Sequence, residues 1–250
     1  MTTDGAQRTV VARLRGAATL GLLAPPGALA VPAVRLADPD WTAQVLGDRA
    51  RRQRTTDRRV LATLWWYSAS SVLLTPVLAG LVTGVRLSAR LADTSVHLLA
   101  GHTPIAATAT AGSGTDLADE LRGSVAAVVT AVAEAGGMRE RPLWAIATDS
   151  LANRLLALGR AVGDVDAVTA LAGPLAAAVG EPLPAPRYVD VCGTRFTRRA
   201  SCCLLDRVPH EVRCTSCPHR TPFERQVLLE DSATASAVRV PLTTGRSWAT

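Results

Sequence analysis

Four of the five cysteines in this chain have a spacing that could hold a metal ion or a metal cluster. The pattern is Cys202-Cys203, ten residues, and then Cys214-x-x-Cys217. A Cys-x-x-Cys turn places two thiolates on one metal, whereas the side chains of Cys202 and Cys203 point apart in an extended backbone. A [2Fe–2S] cluster, which spreads four thiolates over two irons, suits this irregular spacing better than a single zinc ion. Zinc, a strained disulfide between Cys202 and Cys203, and free thiols remain as alternatives.

The position of the cysteines along the chain bears on the compartment and on the fifth thiol. None lies in the first 191 residues, and all five fall within 26 residues. Small secreted proteins spread an even number of cysteines over the whole chain, so this clustering favours a metal or redox site in a reducing compartment. Cys192 lies ten residues before Cys202, outside the spacing pattern, and we expect it to pack as a small buried residue.

The cysteine segment is rich in arginine. Seven arginines and three acidic residues lie between Arg195 and Arg225, which gives a net charge of +4. An iron–sulfur cluster becomes more negative on reduction, so nearby arginines would stabilise its reduced form and raise its potential. An ordinary arginine-rich surface explains the same count equally well, because the chain contains no lysine and uses arginine throughout. Since four cysteines already complete a ligand set, we expect His210 and His219 to be surface residues.

The composition bounds the class of protein. A chain of 250 residues forms one large domain, or one domain with a small appendage. Apolar residues make up 48% and charged residues 19%, which excludes disordered and fibrous classes. The formal net charge is +6, but the chain lacks a recognition-helix pattern and basic residues interleaved with aromatics. A zinc-binding, basic DNA-associated protein is therefore the weaker alternative.

Two apolar stretches resemble a targeting segment or a membrane-spanning segment. Near the N-terminus, arginines precede the apolar residues 17–24, and Ala-Leu-Ala at 28–30 resembles a signal-peptidase site. A Pro-Pro pair interrupts that run, so we expect this segment to pack on the domain. Residues 60–85 are uncharged and long enough to span a bilayer, but they contain several polar residues and Pro76. We interpret them as two buried helices that meet at Pro76, with a membrane span as the alternative.

The N-terminal half of the chain shows mainly helical patterns. Residues 1–38 are punctuated by proline and glycine and predict irregular structure. Residues 41–59 predict a polar helix whose arginines form either a solvated face or a docking surface for an acidic partner. Hydrophobic helices are expected over residues 60–100, and the small residues of 101–115 predict a loop.

Three further helices are predicted after that loop. The first is amphipathic, begins with Thr115 as its cap and stops at Gly136. The second opens at Pro142, and the third covers residues 164–180 with a break at Gly173.

Three aspartates in these helices could be taken for catalytic residues. Asp149, Asp164 and Asp166 have no histidine or cysteine at ligand spacing, so we interpret them as surface or capping residues rather than a catalytic pair. After residue 185 the pattern changes, because residues 188–192 alternate like a short strand and Gly193 follows as a turn.

A short C-terminal signature adds a family resemblance to these patterns. It consists of Phe196, Arg198-Arg199, Cys202-Cys203, Cys214 and Cys217-Pro218. Together these residues resemble the C-terminal signature of the FhuF-like ferric-siderophore reductases. The resemblance implies that Cys202, Cys203, Cys214 and Cys217 hold a [2Fe–2S] cluster.

The helical patterns and the resemblance together predict a mainly α (α+β) fold. We expect a helical body over residues 1–185, a small irregular iron–sulfur segment over residues 186–231, and a flexible tail over residues 232–250.

The resemblance also implies an oxidoreductase that acts on ferric siderophores, with the hydroxamate type as a candidate substrate. Siderophore oxygens hold Fe(III) far more tightly than Fe(II), so one electron from the cluster loosens the chelate and releases Fe(II) in the cytoplasm. No glycine-rich dinucleotide motif follows a strand, so the electron must come from a separate donor such as a ferredoxin or a flavin reductase. No nucleic-acid partner is implied. Peripheral attachment at the inner face of the membrane, and a membrane-anchored iron-uptake accessory built on residues 60–85, remain as alternatives.

Overall fold

The computed structural model describes residues 5–112, 114, 116–209 and 211–238. The α-helices in these ranges are α1 Gly5–Arg13, α2 Pro39–Gln53, α3 Arg58–Thr83, α4 Leu117–Gly136, α5 Arg141–Val162, α6 Val165–Ala170, α7 Ala172–Val179 and α8 Pro222–Val238. The strands are β1 Leu29–Pro32, β2 Thr94–Leu99, β3 Thr103–Ala109, β4 Tyr188–Val191 and β5 Thr194–Thr197. Strands β1, β2 and β3 form an antiparallel sheet in that order, and β4 and β5 form a separate antiparallel hairpin. The predicted mainly α (α+β) fold is confirmed.

Helix α3 is the main core helix. Its Trp65 and Trp66 are fully buried, and Trp66 Nε1 donates a hydrogen bond to the carbonyl of Leu143 in α5 (2.8 Å). The helix packs against α4, α5 and β3. Among the described residues it is long and apolar enough to cross a membrane, and 67% of its most apolar window lies buried inside the fold. A helix that is apolar on every side needs such a cover, and the neighbouring elements provide it.

Pro76 lies inside α3, where the sequence predicts a junction between two helices. That prediction is wrong, because the helix continues without a break from Arg58 to Thr83. A proline removes one backbone hydrogen bond and costs about 3 kcal/mol in a helix interior. Leu74 and Leu78, on either side of it, are buried in the core. Since each buried leucine contributes about 1.5–3 kcal/mol, tertiary packing outweighs the local preference of the proline.

The three-stranded sheet lies where the sequence predicts irregular structure, helix and loop, and those predictions are wrong. Strand β1 falls in the segment predicted as irregular, β2 in the one predicted as helical, and β3 in the predicted loop. Strand β3 is rich in alanine, which has a low strand preference, so its sequence gives no strand signal. Its Ala106 and Ala107 are fully buried, and β3 packs against α3. Contact with α3, rather than local propensity, therefore decides the strand.

The N-terminal segment packs on the core, as the sequence predicts, but it contains a helix that the sequence does not. Val10 of α1 and Leu22 after it are fully buried. The buried Gln7 side chain donates hydrogen bonds to the carbonyls of Leu22 (3.0 Å) and Ala107 (3.3 Å), and it accepts one from the Ala109 N–H (3.0 Å). This glutamine therefore ties α1 to β3.

Several helix boundaries differ from the prediction. The helix expected over residues 41–59 is split, since α2 ends at Gln53 and α3 begins at Arg58. Thr115 lies outside the described residues; Asp116 caps α4 by accepting a hydrogen bond from the Ala118 N–H (2.7 Å). Helix α4 ends at Gly136, as predicted.

The helix expected over residues 164–180 is also split, but not at the predicted position. The break lies at Leu171, between α6 and α7, rather than at Gly173. Pro174 follows in the first turn of α7, where a missing N–H costs no intrahelical hydrogen bond. A proline at that position starts a helix instead of ending one.

The β4–β5 hairpin leads directly into the cysteine segment. Cys192 and Gly193 form its turn with φ values of 47° and 72°, and such tight turns favour positive φ. The predicted strand and the predicted turn at Gly193 are confirmed. Beyond the cysteine segment, residues 232–238 form the end of α8 where the sequence predicts a flexible tail, and residues 239–250 lie outside the described ranges. The domain boundary near residue 185 stays a prediction.

Candidate metal centre

The cysteine segment packs against the first turns of α3. Cys203 and Val208 form a small buried apolar cluster with Val60 and Leu64 of that helix. A short 3-10 helix over Leu205–Arg207 connects the cysteine pair to Val208. This apolar contact fixes the C-terminal segment on the helical body and shields one side of the thiols from water.

The four thiols of the predicted ligand set lie in two pairs. Cys202 Sγ is 3.8 Å from Cys217 Sγ, and Cys203 shares a hydrogen bond with Cys214. The two adjacent cysteines therefore turn to different partners, as the sequence predicts for neighbouring side chains. Cys203 and Cys217 are buried, whereas Cys202 and Cys214 are half-buried. The fold thus brings all four residues together, and each pair takes one thiol from either end of the motif.

One backbone and one side-chain hydrogen bond hold the second half of the motif in a tight turn. The Cys217 N–H donates to the Cys214 carbonyl (3.2 Å), and Arg220 Nε donates to the same carbonyl (3.0 Å). In the first half, Leu204 adopts a positive φ of 60°, and its N–H donates to Cys202 Sγ (3.4 Å). These contacts orient the sulfurs of the motif.

Arg199 is buried beside the thiols and donates hydrogen bonds to two of them. Its Nη1 atom lies 3.2 Å from Cys214 Sγ and 3.6 Å from Cys203 Sγ, and its guanidinium stacks over the ring of Tyr67 at 4.9 Å. The side chain is only 3% exposed. Burial lowers the pKa of Arg199, but the neighbouring Tyr67 and thiols outweigh this and raise the pKa overall. The guanidinium therefore remains charged.

Asp149 of α5 anchors both Arg199 and the backbone that precedes the cysteine pair. Its carboxylate accepts hydrogen bonds from Arg199 Nε (3.4 Å), the Ala200 N–H (2.7 Å), the Ser201 N–H (3.1 Å) and the Ser201 hydroxyl (2.8 Å). The Asp149 side chain is 2% exposed. A buried charge needs such a complete set of partners, because an unpaired one is strongly destabilising.

The sequence prediction for Asp149 is therefore wrong, since the residue is neither on the surface nor a cap. Its partners lie some fifty positions away in the chain, so no local spacing connects them. One signal was present: Asp149 is the only charged residue between Pro142 and Asn153, a stretch that is otherwise apolar or neutral. Asp164 does cap α6, and Asp166 lies on the surface in an ion pair with Arg195, as expected.

Hydrogen bonding within the pairs separates the pKa values of the thiols. Donation from the Cys214 thiol lowers the pKa of Cys203 well below its usual range, with smaller help from Arg199, and correspondingly raises the pKa of Cys214. Burial raises the pKa of Cys202 to about 11. The thiolate is the form that binds a metal, and within the Cys203–Cys214 pair Cys203 is the thiol that ionises more readily.

The donor set fits a two-iron cluster. Two pairs of thiols match four thiolates divided between two irons. Among the described residues, no three His, Cys, Asp or Glu side chains converge on one metal position, as a single zinc ion would require. Arg199 Nη2 is buried and has no hydrogen-bond acceptor in the described part of the chain, and a sulfide of the cluster would supply one. All five thiols are free, so the vicinal disulfide is absent.

The predictions for the remaining residues of the segment have different outcomes. Cys192 is exposed, so the prediction that it packs as a small buried residue is wrong. It occupies the turn of the β4–β5 hairpin, where its side chain is exposed. His219 is exposed, as predicted, and His210 lies outside the described residues.

The local arginines divide into two groups by their contacts. Arg195 forms ion pairs with Asp166 and Asp190, and Arg213 forms one with Asp206, so acidic side chains neutralise both. Arg199 is the arginine that the described hydrogen bonds place against thiols. The sequence-level count of +4 therefore overstates the charge that acts directly on the sulfurs.

Comparison with known proteins agrees with this geometry. Residues 199–219 match the family model described as the FhuF 2Fe-2S C-terminal domain, and no curated protein matches the chain. The matched segment includes Arg199 and all four paired cysteines. The resemblance to the FhuF-like family is thereby confirmed for this segment. The chain carries a FhuF-type C-terminal domain, whose cofactor is a [2Fe–2S] cluster.

Proposed function

We propose that this protein is a ferric-siderophore reductase, which passes one electron to the iron of a bound ferric chelate and so releases Fe(II). The observation that carries the proposal is the FhuF-type arrangement itself: two thiol pairs packed on α3 beside the buried Arg199. Siderophore oxygens bind Fe(III) much more strongly than Fe(II). A single electron is therefore enough to loosen the chelate, and no acid–base catalyst is needed.

Cys202, Cys203, Cys214 and Cys217 are the proposed ligands. Bound by these residues, a [2Fe–2S] cluster supplies reversible one-electron transfer. Arg199 offsets the negative charge that the thiolates carry and favours the more negative, reduced state. The apolar contacts of Val60, Leu64 and Val208 keep water from the inner side, which strengthens the effect of that buried charge.

Access to the site is open on the side of Cys202. This residue lines a surface cleft of about 760 Å³, which we call the Cys202 cleft, together with Ser201 and Leu204. Cys203 and Cys217 are buried and offer no such access. A chelate in the Cys202 cleft would therefore lie within a short distance of one proposed ligand. The electron itself must come from a separate donor, such as a ferredoxin or a flavin reductase, and we expect the reaction to take place in the cytoplasm.

Metal content and ligand variants test the proposal. Anaerobically purified protein should be red-brown, hold about two iron atoms per chain with matching sulfide, and show a spin-half EPR signal after one-electron reduction. Cys202→Ser and Cys217→Ser should abolish retention of the cluster. Cys192→Ser is the matched control, because Cys192 is exposed outside the two pairs, and it should retain the full iron content.

Reoxidation separates a reductase from an iron–sulfur protein with another purpose. The reduced protein should reoxidise faster when a ferric siderophore is added, and a ferrous chelator should trap one Fe(II) for each electron lost. A colourless protein with one zinc would contradict the cofactor and the function together. A cluster that ignores every ferric chelate would leave the cofactor in place and remove the proposed function.

A further inference from the structure

The Cys202 cleft has the size of a small-molecule site. Its volume of about 760 Å³ falls within the roughly 300–1,000 Å³ typical of ligand pockets. Three parts of the fold form its walls: the start of α3, the junction between α4 and α5, and the segment around the cysteine pair. Its charged lining residues are Asp57, Arg59, Arg139, Arg141 and Arg207.

The cleft carries an excess of positive charge. Four arginines face one aspartate, and all four arginines are exposed. The ion pairs among the described residues include none of these arginines. Asp57 is already used as the cap of α3, where it accepts hydrogen bonds from the Arg59 and Val60 N–H groups. The cleft therefore presents four guanidinium groups outside the direct ion pairs of the described residues, and among them Arg207 interacts with the nearby Asp206 carboxylate.

Two of these arginines lie where they oppose helix stability. Arg59 is in the first turn of α3 and Arg141 is the first residue of α5, and neither first turn contains an acidic residue. A helix N-terminus carries partial positive charge and is stabilised by anions, so an arginine side chain at this position is electrostatically unfavourable. The Asp57 carboxylate already caps α3, whereas α5 has no side-chain cap, so a bound anion would meet the guanidinium groups and the N-terminus of α5.

The cleft also offers apolar surface between its charges. Val60, Met138, Pro142, Ala145 and Leu204 line it alongside the arginines. Guanidinium planes stack on aromatic rings, and apolar side chains pack against their edges. This mixture suits a ligand that combines aromatic rings with negative charge.

We propose that the Cys202 cleft binds a ferric chelate with a net negative charge, of the tris-catecholate type, in preference to a neutral tris-hydroxamate. The inference rests on the proposed reductase function and specifies its substrate class. In the reaction, Fe(III) of the chelate gains one electron and becomes Fe(II), while the reduced protein loses one electron and is restored by its separate donor. The reduced chelate is more negative than the ferric one, so the arginines also favour the product of the transfer.

A gallium analogue tests binding separately from reduction. Ga(III) gives chelates of the same charge as Fe(III) and does not accept an electron under these conditions. We would titrate the full, cluster-containing protein by calorimetry with the Ga(III) tris-catecholate and with the neutral Ga(III) tris-hydroxamate. The anionic chelate should bind at least about tenfold more tightly at low salt, and its affinity should fall as salt screens the arginines.

Variants of the cleft provide the second measurement. The double variant Arg139→Gln with Arg141→Gln should weaken binding of the anionic chelate by roughly three- to tenfold and leave that of the neutral chelate unchanged. The matched control is Arg8→Gln with Arg15→Gln, which removes the same charge from exposed positions and should change neither affinity.

The control arginines lie far from the cleft. Arg13, between them in sequence, donates a hydrogen bond to the carbonyl of Thr83, at the end of α3 opposite to Arg59. The length of the helix between these positions is roughly 36 Å, which exceeds the screening length at physiological salt several times.

The outcomes separate the inference from the function on which it rests. If the two Ga(III) chelates bind with equal affinity, and salt does not change the affinity of the wild-type protein for them, the proposed preference for an anion is wrong. Reduction of an Fe(III) hydroxamate by the same preparation would in that case still support the reductase function. If neither Fe(III) chelate reoxidises the reduced protein, the proposed function fails and the inference fails with it. The salt series uses the unmodified chain, so the result does not depend on the folding of a variant.

Discussion

The buried pair of Asp149 and Arg199 is the point at which one substitution should do the most damage. Asp149→Asn keeps the shape of the side chain but removes its charge. Arg199 then stays buried, with 3% of its side chain exposed and no carboxylate beside it. Breaking one partner of a buried pair costs about 3–5 kcal/mol. The hydrogen bonds from the Ala200 and Ser201 N–H groups weaken as well, because they lose an ionised acceptor.

Asp149→Asn should therefore lower the free energy of unfolding by about 3–5 kcal/mol. We would measure this by urea titration of the cluster-containing protein, followed by circular dichroism. Asp166→Asn is the matched control. The Asp166 side chain is 87% exposed, and its ion pair with Arg195 lies on the surface, so the loss there should be at most about 1 kcal/mol. Iron content should also fall in Asp149→Asn, since the anchored backbone leads directly into Cys202.

A double variant distinguishes an unpaired charge from simple loss of packing. Asp149→Asn combined with Arg199→Met removes both charges together and keeps an acceptor oxygen for the Ala200 and Ser201 N–H groups. It should cost less stability than Asp149→Asn alone, because no charge is left buried without a partner. Equal effects of Asp149→Asn and Asp166→Asn would refute the reasoning. A double variant at least as unstable as Asp149→Asn would show that the cost comes from packing rather than charge.

Two further predictions concern the potential of the cluster and the packing of α4. Arg199→Gln should lower the reduction potential of the cluster, measured in a redox titration followed by EPR, because a buried positive charge beside two sulfurs is lost. The matched control Arg198→Gln changes an exposed neighbour and should leave the potential nearly unchanged. Equal potentials for the two variants would exclude a direct role of Arg199. Gly136→Ala should destabilise the fold, because its new Cβ would lie 2.6 Å from the Cβ of Ala62 in α3. At Gly123 in the same helix a new Cβ would meet open space, so Gly123→Ala should stabilise the fold by about 0.5–1 kcal/mol in thermal unfolding. Stabilisation of the fold by both variants would contradict the close contact between α3 and α4.

The helical class and the proposed ligand set follow from short-range patterns, which a sequence displays directly. The end of α4 at Gly136 follows from a helix stop signal, and the hairpin turn at Gly193 follows from the need for positive φ. The spacing of Cys202, Cys203, Cys214 and Cys217 favoured a [2Fe–2S] cluster over zinc and suggested that adjacent thiols face different ways, and the resemblance to the FhuF-like family turned that preference into a prediction. All of these features depend on residues within about one turn or one short loop of each other.

What the sequence missed depends on contacts between distant parts of the chain. The alanine-rich strand β3 carries no strand signal, and it forms because its small side chains let it pack on α3. Helix α3 continues through Pro76 because the turns on both sides of the proline are buried. From its sequence neighbours, Asp149 resembles a surface residue. The fold brings it into contact with Arg199 and Ser201, which lie some fifty positions further along the chain. A buried charge is stable only with its partners in place, and three-dimensional packing alone brings those partners together. The sequence therefore determined which residues could hold the cluster, and the tertiary structure decided which charges surround it and which cleft leads to it.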